Sequence, residues 1–178
     1  MGTVSALPAA EGGKRYLRME ADYEAVFELP FEVLYSTLLD FEAYPGFFGR
    51  VALMKRLSPP GTEGPVRFRQ RTAVKVLWFG FASEYEFDAA ASYLEGGRAG
   101  VIAFRSGSGD GALEDVTGGW YLEERGPGRT YVRYRVASST REDFSGQKGI
   151  MSGFMDGDFR AVFRQLGAEA ARRSRADG

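Results

Sequence analysis

The chain closes on a segment from Gln147 to Arg173 whose apolar residues recur at three- and four-residue spacing. They are Ile150, Met151, Phe154, Met155, Phe159, Val162, Phe163 and Leu166. That period puts them on one face of a helix. Asp156, Arg160, Arg164 and Glu169 fall on its polar side. A face so broad and so rich in Met and Phe must lie on another apolar surface. Since the chain between Val51 and Ser138 reads as strands and turns, that surface is expected to be a sheet. Whether helix and sheet meet in a solid core or around a cavity then decides what such a chain can do.

The upstream pattern supplies the sheet. From Met19 to Leu29, Met19, Ala21, Tyr23, Ala25, Phe27 and Leu29 alternate with Glu20, Asp22, Glu24 and Glu28, the period of a half-buried strand. Pro30 stops it and suits the first turn of a helix over Phe31 to Asp40, whose apolar set is Val33, Leu34, Leu38 and Leu39. Phe41 to Phe48 reads as a second short helix or turn, ended by Pro45-Gly46. Strands are expected over Val51 to Leu57, Pro65 to Trp78, Gly80 to Tyr93, Ala99 to Ser106, Thr117 to Glu123 and Thr130 to Ser138. Ser106 to Asp115 reads as a flexible loop and Ser139 to Gly149 as a link. Residues 1–18 read as a mobile tail and residues 19–175 as one domain. This order is that of an α+β protein: two short helices after the first strand, and a long C-terminal helix on a curved antiparallel sheet of about seven strands.

Composition removes many chemistries. The 178 residues include no cysteine and no histidine. That excludes disulfides, thiol nucleophiles, thiolate or imidazole metal sites and a Ser-His-Asp triad. No cofactor and no metal site are expected. A formal net charge of −1 gives no global attraction to nucleic acid or anionic lipid. No window approaches the length of an apolar membrane span, so the expectation is a soluble chain, with transient contact with a membrane left open. The lack of cysteine fits a reducing compartment, hence a cytoplasmic location.

Two motifs then narrow the fold. Leu29 to Pro45 pairs an acid-bearing apolar helix with Asp40-Phe41-Glu42-Ala43-Tyr44-Pro45. Later, Gly118-Gly119-Trp120-Tyr121-Leu122 precedes Gly128-Arg129-Thr130-Tyr131-Val132-Arg133-Tyr134. In this order they resemble the entry pattern and the Gly-x-Trp hairpin of the START-like, or helix-grip, superfamily (SRPBCC), most nearly its polyketide cyclase and coenzyme Q-binding branch. The resemblance spans residues 19–173. It implies a bent sheet gripping the C-terminal helix with an apolar cavity between them. It implies no particular reaction, because the fold carries many functions.

The inward positions of the long strands are the candidate ligand contacts: Phe68, Gln70, Thr72, Val74, Ser83, Tyr85, Phe104, Trp120 and Tyr134, with Val132 and Val136 beside them. Met151, Phe154, Met155 and Asp158 are the expected contacts from the last helix. Without the resemblance, the same aromatic residues read more simply as a filled core. A few hydroxyl and amide groups in an apolar wall are what a ligand pocket needs. Arg67, Arg69, Arg71 and Lys75 form a cationic row that reads as an outer face paired with Glu84, Glu86 and Asp88, so no nucleic-acid partner is expected. Asp40, Glu114, Asp115 and Asp158, with Tyr85, Tyr134 and Arg105, are the thin set from which a catalyst would have to come, and no catalytic residue is assigned. The leading expectation is binding or transport of a lipid, isoprenoid quinone or polyketide-like aromatic. The alternative is a polyketide cyclase or dehydratase using the same cavity. A third is a protein-interaction module presenting Phe41 to Phe48. Oligomeric state is not specified by these patterns.

Overall fold

The computed structural model describes residues 2–6, 16–76, 79–94, 96–109, 113–141 and 147–176. Strand β1 is Gly2–Ala6 and β2 is Tyr16–Phe27. Helix α1 (Phe31–Leu39), a 3-10 turn (Phe41–Ala43) and the short helix α2 (Tyr44–Phe47) follow. Then come β3 (Val51–Arg56), β4 (Val66–Val76), β5 (Phe79–Tyr93), β6 (Ala99–Gly109), β7 (Leu113–Glu124), β8 (Thr130–Arg141) and helix α3 (Gln147–Ala176). The strands form one antiparallel sheet in the order β1-β2-β8-β7-β6-β5-β4-β3. The chain leaves β2, crosses to the far edge through the short helices, and returns strand by strand until β8 pairs with β2.

The α+β order is as expected, with two differences at its margins. Residues 2–6 are an edge strand rather than a mobile tail, in register from Gly2 opposite Ala21 to Ala6 opposite Leu17. An unpaired edge on β2 would leave a row of N–H and C=O groups without partners, and the N-terminal segment takes them up. Residues 7–15 lie outside the described set. The expected loop from Ser106 to Asp115 is largely ladder, because β6 runs to Gly109 and β7 starts at Leu113; residues 110–112 lie outside the described set, as do 142–146 of the expected link. Ser106 is buried, and its Oγ accepts the Val116 amide at 2.8 Å, which satisfies the backbone near the irregular start of β7.

On the outer face the cationic row of β4 meets the acids of β5 in register. Arg67 donates to Asp88 at 2.9 Å and Arg69 to Glu86 at 2.7 Å, with Arg71 opposite Glu84. On the inner face, α1 lies where β6 has no side chain. A Cβ on Gly100 would stand 2.6 Å from the Tyr35 ring, so glycine there lets the fully buried helix residues Leu34, Tyr35 and Leu38 come down onto the sheet. Within the segment Phe41 to Phe48 three aromatic side chains belong to the core, while Glu42, Pro45 and Gly46 are exposed and Phe47 is half-buried. Phe41, Tyr44 and Phe48 are buried, and the Tyr44 hydroxyl donates to the Leu38 carbonyl at 2.6 Å.

Helix α3 grips the half of the sheet made by β2, β7 and β8. Phe159 stacks on Tyr23 at 4.7 Å, Phe163 packs against Trp120 and Phe27, and Leu166 and Ala170 are wholly buried. Gly167 permits the approach, since a Cβ there would be 2.8 Å from the Phe27 ring. The C-terminal turns are tied down by charge. Glu169 accepts from Arg172 and Arg173, each at 2.8 Å, and Arg173 also reaches Asp40 at the end of α1 at 2.9 Å. The Arg172 hydrogen bond, then that of Arg173, holds the Glu169 carboxyl down at about 2. A carboxyl depressed on folding stabilises the fold above its unfolded value of about 4.3, and that contribution fades as pH falls. Glu169→Gln is therefore expected to cost about 1 kcal/mol at pH 7, with the difference shrinking below about pH 4 and nearly gone at about pH 2, as read by urea denaturation.

Candidate functional site

Alternation along the strands directs one set of side chains inward, and α3 covers only part of them. Its aromatic stack occupies β2, β7 and β8, while Phe41 of the 3-10 turn drops onto Phe68 and Phe87, with ring centroids 4.7 and 6.2 Å away. Between these two contacts a cavity of about 470 Å³ remains. Its sheet wall includes Gln70, Thr72, Tyr85, Phe87, Phe104, Val116, Trp120, Tyr134 and Val136. Its rim is Phe48, Gly49, Arg50 and Val51 from the α2–β3 corner, with Asp158, Ala161, Val162 and Gln165 from α3.

The aromatic wall is fixed by mutual packing. Trp120 lies on Tyr134 at 4.1 Å, Phe104 is 6.1 Å from Phe87 and 6.2 Å from Tyr134. Phe104 can sit flat against β7 because Gly118 has no side chain, a Cβ there falling 2.9 Å from its Cζ. Polar groups are few. The Gln70 side chain bonds the Tyr85 hydroxyl, and Thr72 Oγ1 lies 3.3 Å from Ser83 Oγ. Burial pushes the Tyr85 and Tyr134 hydroxyls well above the ordinary tyrosine range, so both remain neutral hydrogen-bonding groups at any working pH.

Arg50 and Asp158 form an ion pair across the rim. Beside it, the Gly49 amide donates to Gln165 Oε1 at 3.4 Å. Burial raises the Asp158 carboxyl above its usual range, and the opposing pull of Arg50 does not fully cancel it. The site can thus hold an apolar body against aromatic faces and offer hydrogen bonds at one seam, between α3 and the β3–β4 edge. Among the described residues no group of three or more acidic side chains is arranged to hold a metal ion, and no helix is long and apolar enough to cross a membrane.

Of the residues singled out from the sequence, the cavity brings together Gln70, Thr72, Tyr85, Phe104, Trp120, Tyr134 and Asp158. Phe68 and Ser83 are not on its wall. Phe68 is buried beneath Phe41 and Phe87, and Ser83 is engaged by Thr72 across the strand pair. The side chains of Val74, Met151, Phe154 and Met155 lie outside the described set, as does that of Glu114. Asp40 pairs with Arg173, and Arg105 is exposed on the other face of β6, so neither joins the cavity. Asp115 also stands on the outer face by alternation from Val116, with Oδ1 buried and unpartnered. Sequence reasoning missed Phe87, Val116 and Gln165 among the contributors, and, at the rim, Arg50. It sits in the short α2–β3 connection, where no periodicity exists to flag it, and only the approach of α3 gives it a partner.

A curved antiparallel sheet gripping a long C-terminal helix, with short helices after the first long strand and an aromatic cavity in the grip, is the START-like helix-grip fold. Solved structures bear the same shape. The Zhui aromatase/cyclase from Streptomyces sp. R1128 aligns over 90% of this chain and 98% of its own, with a TM-score of 0.66 at 16% identity. A STAR-related lipid transfer protein from Xanthomonas axonopodis aligns over 94% and 98%, with a TM-score of 0.69 at 13% identity. Human STARD10 aligns over 95% of this chain and 73% of its own, with a TM-score of 0.64 at 11% identity. No sequence-family model and no curated protein matches the chain. At these identities the likeness speaks for the fold alone.

Proposed function

We propose that this protein binds or carries a hydrophobic small molecule, of the class of a lipid, isoprenoid quinone or polyketide-like aromatic, in the cavity between sheet and α3. The observation that carries this reading is the cavity of about 470 Å³ walled by Phe87, Phe104, Trp120 and Tyr134, with polar groups confined to a few positions. Burying about 300 Å² of apolar ligand there contributes on the order of 7 kcal/mol before ordering costs, which makes the apolar wall the main driving force for binding, without covalent chemistry. The names of two structural neighbours, a lipid transfer protein and an aromatase/cyclase, are in keeping with such a site. The test is mass spectrometry of organic extracts from protein purified from its native host, with titration of an apolar naphthalene dye followed by the dye's own emission. An enriched apolar species and saturable dye binding are expected. Finding no enriched species and no dye binding would overturn the reading.

One observation favours a second reading, a cyclase or dehydratase. Asp158 reaches the cavity wall with a raised carboxyl pKa and a guanidinium beside it. A carboxyl tuned upward can exchange a proton with a bound carbonyl compound that the walls hold in a folded pose. If that reading holds, Asp158→Asn will lower turnover of a poly-β-ketone thioester by at least ~100-fold with dye affinity kept. A parent protein that turns over no such compound removes the enzymatic reading and leaves the binding one.

A further inference from the structure

Three tyrosines line the cavity, and they differ in what their hydroxyls already hold. Tyr44 is satisfied, since its hydroxyl donates to the Leu38 carbonyl at 2.6 Å. Tyr85 stands opposite Gln70 in register, and the Gln70 contact favours a negative oxygen, as an amide N–H donating to it does. That contact fills the accepting side of the Tyr85 hydroxyl and leaves its proton to give. Tyr134 makes ring contacts with Phe104, Trp120 and Phe159, and among the described residues nothing hydrogen-bonds its hydroxyl. The Tyr85 and Tyr134 hydroxyls lie close enough that a charge on one would be felt at the other. A desolvated hydroxyl with no partner is costly, so a wall that holds one is complete only when something fills the cavity. The charged residues on that wall, Arg50 and Asp158, are paired with each other at the rim.

Building on the binding reading above, we infer that Tyr85 and Tyr134 form a subsite for a neutral carbonyl oxygen, so that the preferred cargo is an apolar body tipped by a ketone, quinone or ester group. A carbonyl oxygen offers two lone pairs and no proton, which complements two hydroxyls with protons to give. A hydrocarbon of the same shape leaves those hydroxyls buried without partners, and a site built to hydrogen-bond rejects an analogue that lacks the polar group. A carboxylate would carry its charge to a place where no unpaired cation faces it. Tyr134 is thus the residue that reads the cargo's oxygen, and the aromatic faces of Phe104 and Trp120 hold the apolar body beside it.

The experiment is displacement of the naphthalene dye from the full chain by three compounds that share a naphthalene body: acetylnaphthalene, its isopropenyl counterpart with a CH2 group in place of the carbonyl oxygen, and naphthoate. The ketone should bind about 10-fold more tightly than the alkene, and naphthoate more weakly than either. Tyr134→Phe keeps the ring and its packing on Trp120 while removing the hydroxyl. It should weaken the ketone about 10-fold and move the alkene by less than about two-fold, and the infrared carbonyl band of the bound ketone should return toward its position in an apolar solvent. Tyr121→Phe removes a hydroxyl that bonds Glu123 on the outer face, and all three affinities should stay within about two-fold of the parent. Equal affinity for ketone and alkene in the parent, or equal loss of both in Tyr134→Phe, overturns the carbonyl subsite. So does tighter binding of naphthoate, which would make the subsite one for an anion. If the dye itself does not bind, the cavity reading falls and the subsite with it. If the dye binds and the ketone is not preferred, the subsite alone falls.

Discussion

Thr72→Trp is expected to weaken apolar dye or ligand binding about 100-fold while leaving the unfolding free energy within about 1 kcal/mol of the parent. Thr72 lies on the cavity wall midway along β4, half-buried, opposite Val51 on one side and Ser83 on the other. Its hydroxyl makes only long contacts, 3.3 Å to Ser83 Oγ and 3.4 Å to the Ser83 carbonyl, so little is lost with it. Tryptophan suits a strand, and the open volume accepts the ring. Occupying that volume denies a ligand about 100 Å² of apolar burial, which costs about 2.5 kcal/mol and corresponds to nearly two orders of magnitude in affinity. Dye titration together with urea denaturation of the same variant reads both quantities. Unchanged affinity in a folded Thr72→Trp protein would place the binding site elsewhere.

Gly118→Ala should cost about 3 kcal/mol, a fall in Tm of roughly 9 °C for a chain of this size. The added Cβ would stand 2.3 Å from the Arg135 carbonyl oxygen and 2.9 Å from both the Val136 Cα and the Phe104 Cζ. Two of these are backbone atoms of the neighbouring strand, which cannot swing aside as a side-chain tip can. The Gly118–Val136 register pair would have to part, and Phe104 would lose its seat against β7. Gly46→Ala provides the comparison, since nothing lies within 4 Å of its Cβ position. Thermal melts of the two variants should differ by most of the Gly118 effect; equal melts would refute the steric account of this glycine.

Much of the architecture was readable in the sequence because it depends on local periodicity. The alternation in Met19 to Leu29 and in Pro65 to Tyr93 marked strands, and the three- and four-residue spacing from Phe159 to Leu166 marked the face of α3 that is buried. Opposite charges on Arg67, Arg69, Glu86 and Asp88 anticipated the paired outer face, since register follows from the same period of two. Edge pairing was not readable in this way. Nothing within Gly2–Ala6 signals a strand, because the demand for it comes from the exposed edge of β2. The Phe41 to Phe48 segment misled for a related reason. A run of aromatic residues in a short connection reads as exposed until the sheet beneath it is in place, and Phe68 and Phe87 are what receive Phe41.

The candidate site divides along the same line. Gln70, Thr72, Tyr85, Trp120 and Tyr134 were legible as inward residues, for alternation fixes which way a strand side chain points. Alternation cannot fix how far an opposing helix stands off. Phe68 and Gln70 share one face of β4, yet Phe68 is sealed by Phe41 and Gln70 borders open space. The Arg50–Asp158 pair joins residues 108 positions apart, and it exists only because α3 passes the α2–β3 corner. By itself, then, the sequence determined the elements of this protein, their faces and the order that makes a helix-grip fold, since these follow from hydrophobic period and turn chemistry. Only the tertiary structure decided that helix and sheet stay apart over β4 to β6, because the aromatic stack of Phe159 and Phe163 holds α3 over β2, β7 and β8. That offset leaves the cavity.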